Sequence, residues 1–517
     1  MALLCALFAT TGHAQSYKLR SAVGTNLAAV EYWSSQLPFV DVMKSSSAWV
    51  SGDKDTWDNK QAIAVDADGW VRSLAPGQIA RTLMLRAIGG NYPAGQYVVR
   101  YKGQGTLGFA GSVVVLARKP GEILLQVTPD AEGLLVNLEA TSPGDYLRDI
   151  QVTLPGGVCE GDPFRHAASA SQCRRQRFLA YADHARDILF NPVFLERLRA
   201  YSVLRFMDWM RTNNSQEGAW QERVLPSHRT WTTPKGVPVE VMVELANRLD
   251  AHPWFTLPHL ADAAYARSFA LAVKAGLERS LRVNVEHSNE VWNGLFSQAR
   301  GMTPELHAQR SRMLGEVFKG VLGADRVMAI LGAQAASPAT AVRAIDSLKA
   351  LHGAALGIDA IAIAPYFGLT PDPMEAEKFA AMTLDELFAH VRTVSLPGSA
   401  ATMKAYRTLA NAHGLRLVSY EGGQHLVGIL GAENNERLTA LFLAFNRDAR
   451  IRQMYLDNLA AWKDAGGELF VHFTDAGRYD KWGSWGALEY ISQPRAAAPK
   501  FDALHSFIER NPVWWAR

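Results

Sequence analysis

The chain has little that points to a nucleic acid, a membrane span or a metal. Basic and acidic residues nearly cancel, 53 against 50 in 517 residues, leaving a formal net charge of +3. A nucleic-acid groove needs a one-sided basic surface, and no run of Lys and Arg interleaves with aromatics. The nearest lookalike, Arg174-Arg175-Gln176-Arg177, reads as a solvated helix start. Beyond the N-terminus no segment approaches the roughly 18 apolar residues of a membrane span. No GxGxxG or Walker loop follows a strand-like run, so no nucleotide cofactor is expected. The nucleophile elbow GxSxG is missing too, and Gly483-Ser484-Trp485-Gly486 does not supply it, which argues against an esterase. His259, His287, His425 and His472 pair at neither HxH nor HExxH spacing, so neither a metal nor any other cofactor is expected.

Cysteine is scarce, with three in the chain. Residues 1–14, MALLCALFATTGHA, form a short apolar run ending in small residues. That reads as a secretory signal peptide lacking its positively charged start, and it predicts a secreted or periplasmic protein. Its removal leaves Cys159 and Cys173, fourteen positions apart in a small-residue stretch. In an oxidising compartment such a pair closes a loop and adds about 3 kcal/mol by restricting the unfolded chain.

What is present is pattern. Residues 15–51 carry a first strand at 22–26 and, over 33–43, the content of a short helix. From 52 to 154, short Val-, Leu- and Ile-rich runs alternate with turns such as Asp66-Ala67-Asp68-Gly69 and Lys119-Pro120-Gly121-Glu122. That spacing predicts an all-β sandwich. A connector over 155–185 holds the cysteine pair, and residues 186–517 alternate strands and helices. The further strands are expected at 203–209, 254–259, 281–286, 327–334, 360–366, 415–421 and 469–474. Helical sequence covers 177–199, 238–249, 261–278, 304–320, 339–351, 383–394, 401–413 and 436–466. Eight alternations predict an α/β fold, a (β/α)8 TIM barrel with the sandwich inserted between strands one and two. An open doubly wound sheet is the alternative, and it normally announces itself with a Gly-rich loop.

In such a barrel the carboxyl ends of the strands carry the site. Here they bear Asn26, Asp208 with Trp209, His259, Asn289 with Glu290, Gln334, Tyr366, Glu421 with Gln424 and His425, and His472 with Asp475. Trp482 and Trp485 follow directly. Glu290, in Leu281–Gly294, and Glu421, after 415–420, are two acids at strand ends. Such a pair can flank a glycosidic bond, one protonated as acid and the other ionised to attack the anomeric carbon. Asn289 is placed to hold a sugar hydroxyl, Tyr366 to orient Glu421, and the indoles to offer flat faces to pyranose rings. Glu286, four residues before Glu290, is the rival acid; it falls within the strand and lacks the adjacent Asn.

These features resemble the clan of retaining (β/α)8-barrel glycoside hydrolases with both acids on strands four and seven. The match rests on Asn289-Glu290, Tyr366, Glu421, and Trp482 or Trp485. The resemblance implies that Glu290 is the acid/base and Glu421 the nucleophile, and it places a strand-two Arg at Arg205. VNVEHSNEVWN, residues 283–293, is also similar to secreted bacterial cellulase-like and cellulose-binding proteins. The implied function is a retaining β-glycanase, endo-β-glucanase-like, acting on a polysaccharide or oligosaccharide. Asn26, Arg205, Asp208, His259, Asn289, Tyr366, Trp482 and Trp485 are its expected substrate-binding residues. The alternative is a non-catalytic carbohydrate-binding protein on the same scaffold.

Overall fold

The computed structural model of the chain describes residues 19–515, so the expected signal peptide lies outside the described residues. Eight parallel strands close into a barrel: β1 (Val23–Asn26), β2 (Val203–Arg205), β3 (His252–Leu257), β4 (Val283–His287), β5 (Val327–Gly332), β6 (Ala360–Ile363), β7 (Arg416–Ser419) and β8 (Phe470–His472). Closure comes from β8 pairing with β1, Thr25 opposite His472, and with β7 through Ser419 and Phe470. Nearly every strand residue is buried, as a parallel sheet covered on both faces requires, which explains the continuous apolar runs. The barrel interior is its own cluster, which combines the large Trp254 with the small Ala360, Ala362 and Ala364 of strand six and its extension. Gly24 is needed where the strands crowd: a Cβ there would lie 2.7 Å from the Val203 carbonyl oxygen.

Helices follow the strands on the outside, among them Val239–Leu249, Ala263–Gly276, Pro304–Leu322 and Pro338–His352. Their starts obey local chemistry. Asp262 and Thr303 cap two of them by accepting from Tyr265 N and Leu306 N. Among the described residues no helix is long and apolar enough to cross a membrane.

Between β1 and β2 the chain builds two four-stranded antiparallel sheets from residues 50–153. One orders Val50–Gly52, Ile79–Met84, Leu134–Thr141, Gly105–Gly111; the other orders Arg148–Thr153, Gly95–Lys102, Glu122–Val127, Val113–Lys119. Burial alternates along them, with Tyr97 and Val99 inside and their neighbours partly exposed. Pro120-Gly121 joins the last two strands, and Gly121 takes the positive φ of 76° that a Pro-Gly turn demands. A backbone bond from Arg86 N to Tyr32 O and a side-chain bond from Arg478 Nη1 to Ala87 O set this region against the loops after β1 and β8. Three short strands, Gly157–Cys159, Asp162–Ala167 and Phe178–Ala180, then form the connector, where Cys159 and Cys173 are joined as a disulfide.

Several expected elements differ. No helix forms over 33–43; only Val42–Ser45 turns, as a 3₁₀ turn. Tertiary bonds claim that backbone instead: Val40 N donates to Leu189 O, Ser35 O accepts from Ile491 N, and Leu37 sits at a φ of 44°. The expected helix over 177–199 is a strand followed by helices Tyr181–Ile188 and Pro192–Leu198, broken where Asn191 caps the second with Pro192 in its first turn. The stretch 436–466 is likewise two helices, Glu436–Arg447 and Ile451–Asp464. Strand two stops at Arg205, before Asp208 and Trp209. Helix Pro499–Arg510 and a parallel pair above the mouth, Phe367–Leu369 with Gln424–Leu426, were not anticipated.

Candidate active site

The site is organised around Arg205, the last residue of β2, which is wholly buried. Register places it between Asn26 of β1 and Trp254 of β3, with its side chain in the barrel mouth. A guanidinium has five N–H donors, and here all five are used. Nε donates to Glu286 Oε2 at 3.0 Å and Nη2 to Glu286 Oε1 at 3.2 Å and Asn289 Oδ1 at 2.8 Å. Nη1 donates to Asn26 Oδ1 at 3.0 Å and Glu421 Oε1 at 2.8 Å. One cation thus ties strands one, two, four and seven together through two carboxylates and two amides.

Glu421 lies two residues beyond β7. Its Oε2 accepts from the Tyr366 hydroxyl at 2.9 Å, so each carboxylate oxygen faces a donor. Burial pushes its pKa up, Arg205 pulls it back, and nearby Glu290 pushes it up again, to about 8 overall. Gly422 and Gly423 let the chain leave the strand beside packed rings: a Cβ on Gly422 would meet Phe470 Cζ at 2.5 Å. The strand pair Phe367–Leu369 with Gln424–Leu426 then fixes the segment carrying Tyr366 against that carrying Glu421.

Glu290 stands in the turn after β4, at a φ of 40°, with Ser288 at 57°. Left-handed backbone at non-glycine residues costs on the order of 1–3 kcal/mol and persists only where surrounding bonds over-determine it. Those bonds are present: Ser288 N donates to Leu257 O at 2.8 Å, Asn293 N to Glu290 O at 2.8 Å, and Gln298 Nε2 to Asn289 O at 2.9 Å. The Glu290 carboxyl takes the Tyr420 hydroxyl on Oε1 and Asn293 Nδ2 on Oε2, both at 3.0 Å. Asn293 is held in that orientation by Leu295 N, which donates to its Oδ1 at 3.1 Å.

The other expected residues divide. Asn26 and Arg205, expected to bind substrate, are buried with every donor spent inside the protein; Asn26 Nδ2 donates to Tyr420 O and His472 O. Asn289 is buried too, its Oδ1 on Arg205 and its Nδ2 on Asn213 Oδ1 at 3.1 Å. Asp208 differs, for its partly accessible carboxylate makes no side-chain hydrogen bond among the described residues. Burial raises its pKa to about 6 against the pull of Arg211 and Arg205. His259 sits after β3, and its Nδ1 has no hydrogen-bond partner among the described residues. Trp485 packs edge-on against His425 and Tyr366, with centroids 4.7 and 6.2 Å away. Trp482 is 62% exposed on the same loop.

Sequence reasoning missed Tyr420, whose period-two position points it inward with Val418. It also passed over Trp254, which donates from Nε1 to Glu286 Oε2 at 2.8 Å. Glu286, weighed as a rival acid, is 2% exposed and committed to Arg205 and Trp254.

No protein-family model and no curated protein matches the chain. Solved structures similar to it are glycoside hydrolases at low identity. The modular endo-β-1,4-mannanase of Cellulomonas fimi is 12% identical over 59% of this chain, with a TM-score of 0.35. The chain spans 62% of that protein's length. The N-terminal endo-1,4-β-D-xylanase 10B of Clostridium thermocellum, with its CBM22-1 and GH10 modules, is 11% identical over 91% of this chain and 97% of that one, at a TM-score of 0.38. A broad-specificity endoglucanase from an uncultured bacterium is 15% identical over 60% and 83%, at 0.34. Likenesses this distant leave the chemistry to the residues described above.

Proposed function

We propose that the protein is a retaining glycoside hydrolase that cleaves β-linked polysaccharide or oligosaccharide by double displacement. The observation that carries this reading is the unlike footing of the two strand-end acids. Glu421 has a donor on each oxygen, Arg205 and Tyr366, and a cation beside it. Arg205 and Tyr366 favour its charged form against the burial that lifts its pKa to about 8, and that charged form is the one that attacks. Glu290 also has a donor on each oxygen, Asn293 and Tyr420, but no ion pair among the described residues, and the rotatable Tyr420 hydroxyl can turn from donor to acceptor when the carboxyl carries a proton.

Glu290 then gives its proton to the glycosidic oxygen as the bond from that oxygen to the anomeric carbon breaks. Glu421 forms the new bond to that carbon, and the alcohol departs. In the second step Glu290, now a carboxylate, takes a proton from water. The resulting oxygen nucleophile displaces Glu421 from the anomeric carbon, so two inversions give net retention. Asp208, whose carboxylate makes no side-chain hydrogen bond among the described residues, is placed to hold a sugar hydroxyl, with Trp485 and the exposed Trp482 as stacking faces. The two sheets of 52–154 form an inserted sandwich that walls the mouth beside β1 and β8, and the protein is exported, secreted or periplasmic.

Kinetics of Glu421→Gln and Glu290→Ala on aryl β-glycosides test this. Glu421→Gln is expected to abolish turnover. Glu290→Ala is expected to spare release of an activated aryl group, and to regain rate with azide, giving a β-glycosyl azide. Full activity in either variant, or an α-anomer as first product, overturns the reading.

A further inference from the structure

A second cavity, of about 690 Å³, lies between the inserted sheets and the loop that follows β2. That volume is in the range of small-ligand sites, and the cavity shares no lining residue with the Glu290–Glu421 site. Its apolar wall is Trp49, with Ile63 beside it. The Trp49 indole is fixed by donation to Gly69 O at 2.9 Å and by the Arg229 guanidinium, 4.5 Å from the ring centroid. Arg229 is itself bound to Ser46 Oγ and Ser47 O, so it belongs to the wall.

Facing this wall are polar groups with unspent capacity, contributed by both sides. Asp68 takes the Ser227 hydroxyl on Oδ1 at 2.6 Å, and its Oδ2 makes no hydrogen bond among the described residues. The Gln61 side-chain amide and the His228 ring line the cavity and make no side-chain hydrogen bond among the described residues. Charges nearly balance: Asp58, Asp66 and Asp68 stand against Lys60 and Arg229, and Asp58 is already paired with Lys60. A strongly ionic ligand has nothing to draw it there. An apolar ring wall opposite unengaged donors and acceptors suits a neutral polyhydroxylated chain, whose C–H faces pack while its hydroxyls bond.

We infer that this cavity is a second carbohydrate site, which holds a neutral polysaccharide apart from the cleft. That the polysaccharide is also the substrate rests on the glycosidase reading; the site itself does not. Affinity electrophoresis of the full chain through gels containing hydroxyethyl cellulose, glucomannan or xylan tests it. Glu421→Gln serves as the non-cleaving parent, with Gln61→Ala/His228→Ala added to it. At least one polymer is expected to retard the parent, and the added pair to weaken that retardation about tenfold, two neutral hydrogen-bonding groups being lost. The same pair in the otherwise unchanged protein is expected to leave the melting temperature and aryl-glycoside turnover as they were. Equal retardation of parent and variant, or no retardation by any polymer, overturns the proposal. Retardation that depends on Gln61 and His228 in a protein that cleaves no glycoside upholds the cavity and removes the glycosidase reading. Cleavage with retardation indifferent to the pair does the reverse.

Discussion

The Tyr420 hydroxyl donates to Glu290 Oε1 at 3.0 Å, while the next residue, Glu421, turns to Arg205 and Tyr366. One strand end therefore serves both acids. Tyr420→Phe removes a partner of Glu290, the proposed acid, and leaves the contacts of Glu421 intact. The expected loss is about 10- to 100-fold in kcat for substrates with poor leaving groups, and much less for activated aryl glycosides. Equal losses on both classes would show that Tyr420 acts through the fold.

Tyr366 acts on the other acid. Its hydroxyl favours the charged form of Glu421, opposing the burial and the Glu290 charge that raise its pKa. Tyr366→Phe is expected to move the acidic limb of kcat/KM upward by roughly one pH unit, since a hydrogen bond to a charged group is worth about that much. A limb that stays in place, or moves down, would separate that limb from Glu421.

Arg205 holds two carboxylates that would otherwise repel each other across the mouth. Arg205→Lys keeps the charge but loses the planar fork, and three donors cannot replace five. Urea unfolding should show a loss of about 3–5 kcal/mol, with activity falling further. Glu286→Gln keeps the Arg205 to Glu421 bond and should cost activity less than stability. If Glu286→Gln abolished turnover at unchanged stability, Glu286 would have to be an acid in the reaction.

The barrel was readable because its strands, buried on both faces, are apolar runs at regular spacing, and polar residues at their ends stand out. Glu290 and Glu421 stand out that way as strand-end acids. What the sequence hid is the direction in which a strand-end polar group spends itself. Asn26 and Arg205 look like ligand contacts until their partners at 286, 289, 420, 421 and 472 are known. Tyr420 reads as one more buried aromatic because Glu290 lies 130 positions away. The segment 33–43 failed as a helix for the same reason: its backbone bonds go to Leu189 and Ile491, far along the chain.

The Cys159–Cys173 disulfide closes a short loop in the connector, beside buried Ala167 and partly buried Phe178. Replacing both cysteines with serine is expected to cost about 3 kcal/mol. The melting temperature should fall, with aryl-glycoside turnover in the folded protein retained. Unchanged melting would mean that the connector is held by its sheet alone.

Asp41 gives a prediction with a definite sign. It is 4% exposed, and its Oδ1 accepts from Met43 N at 3.1 Å and Val152 N at 2.9 Å, tying the segment after β1 to strand Arg148–Thr153. Burial raises its pKa to about 6, against about 3.9 in an unfolded chain. Between those values the folded state holds a proton that the unfolded state has released, so stability falls as pH rises through that window. A difference of about two pH units corresponds to about 3 kcal/mol, fully present below pH 4 and lost above pH 6. Asp41→Asn keeps the acceptor and cannot ionise. Relative to the unaltered protein it should gain about 2–3 kcal/mol between pH 4 and pH 8, measured by denaturant unfolding across that range. A stability difference that does not change with pH would mean that Asp41 titrates alike in the folded and unfolded protein.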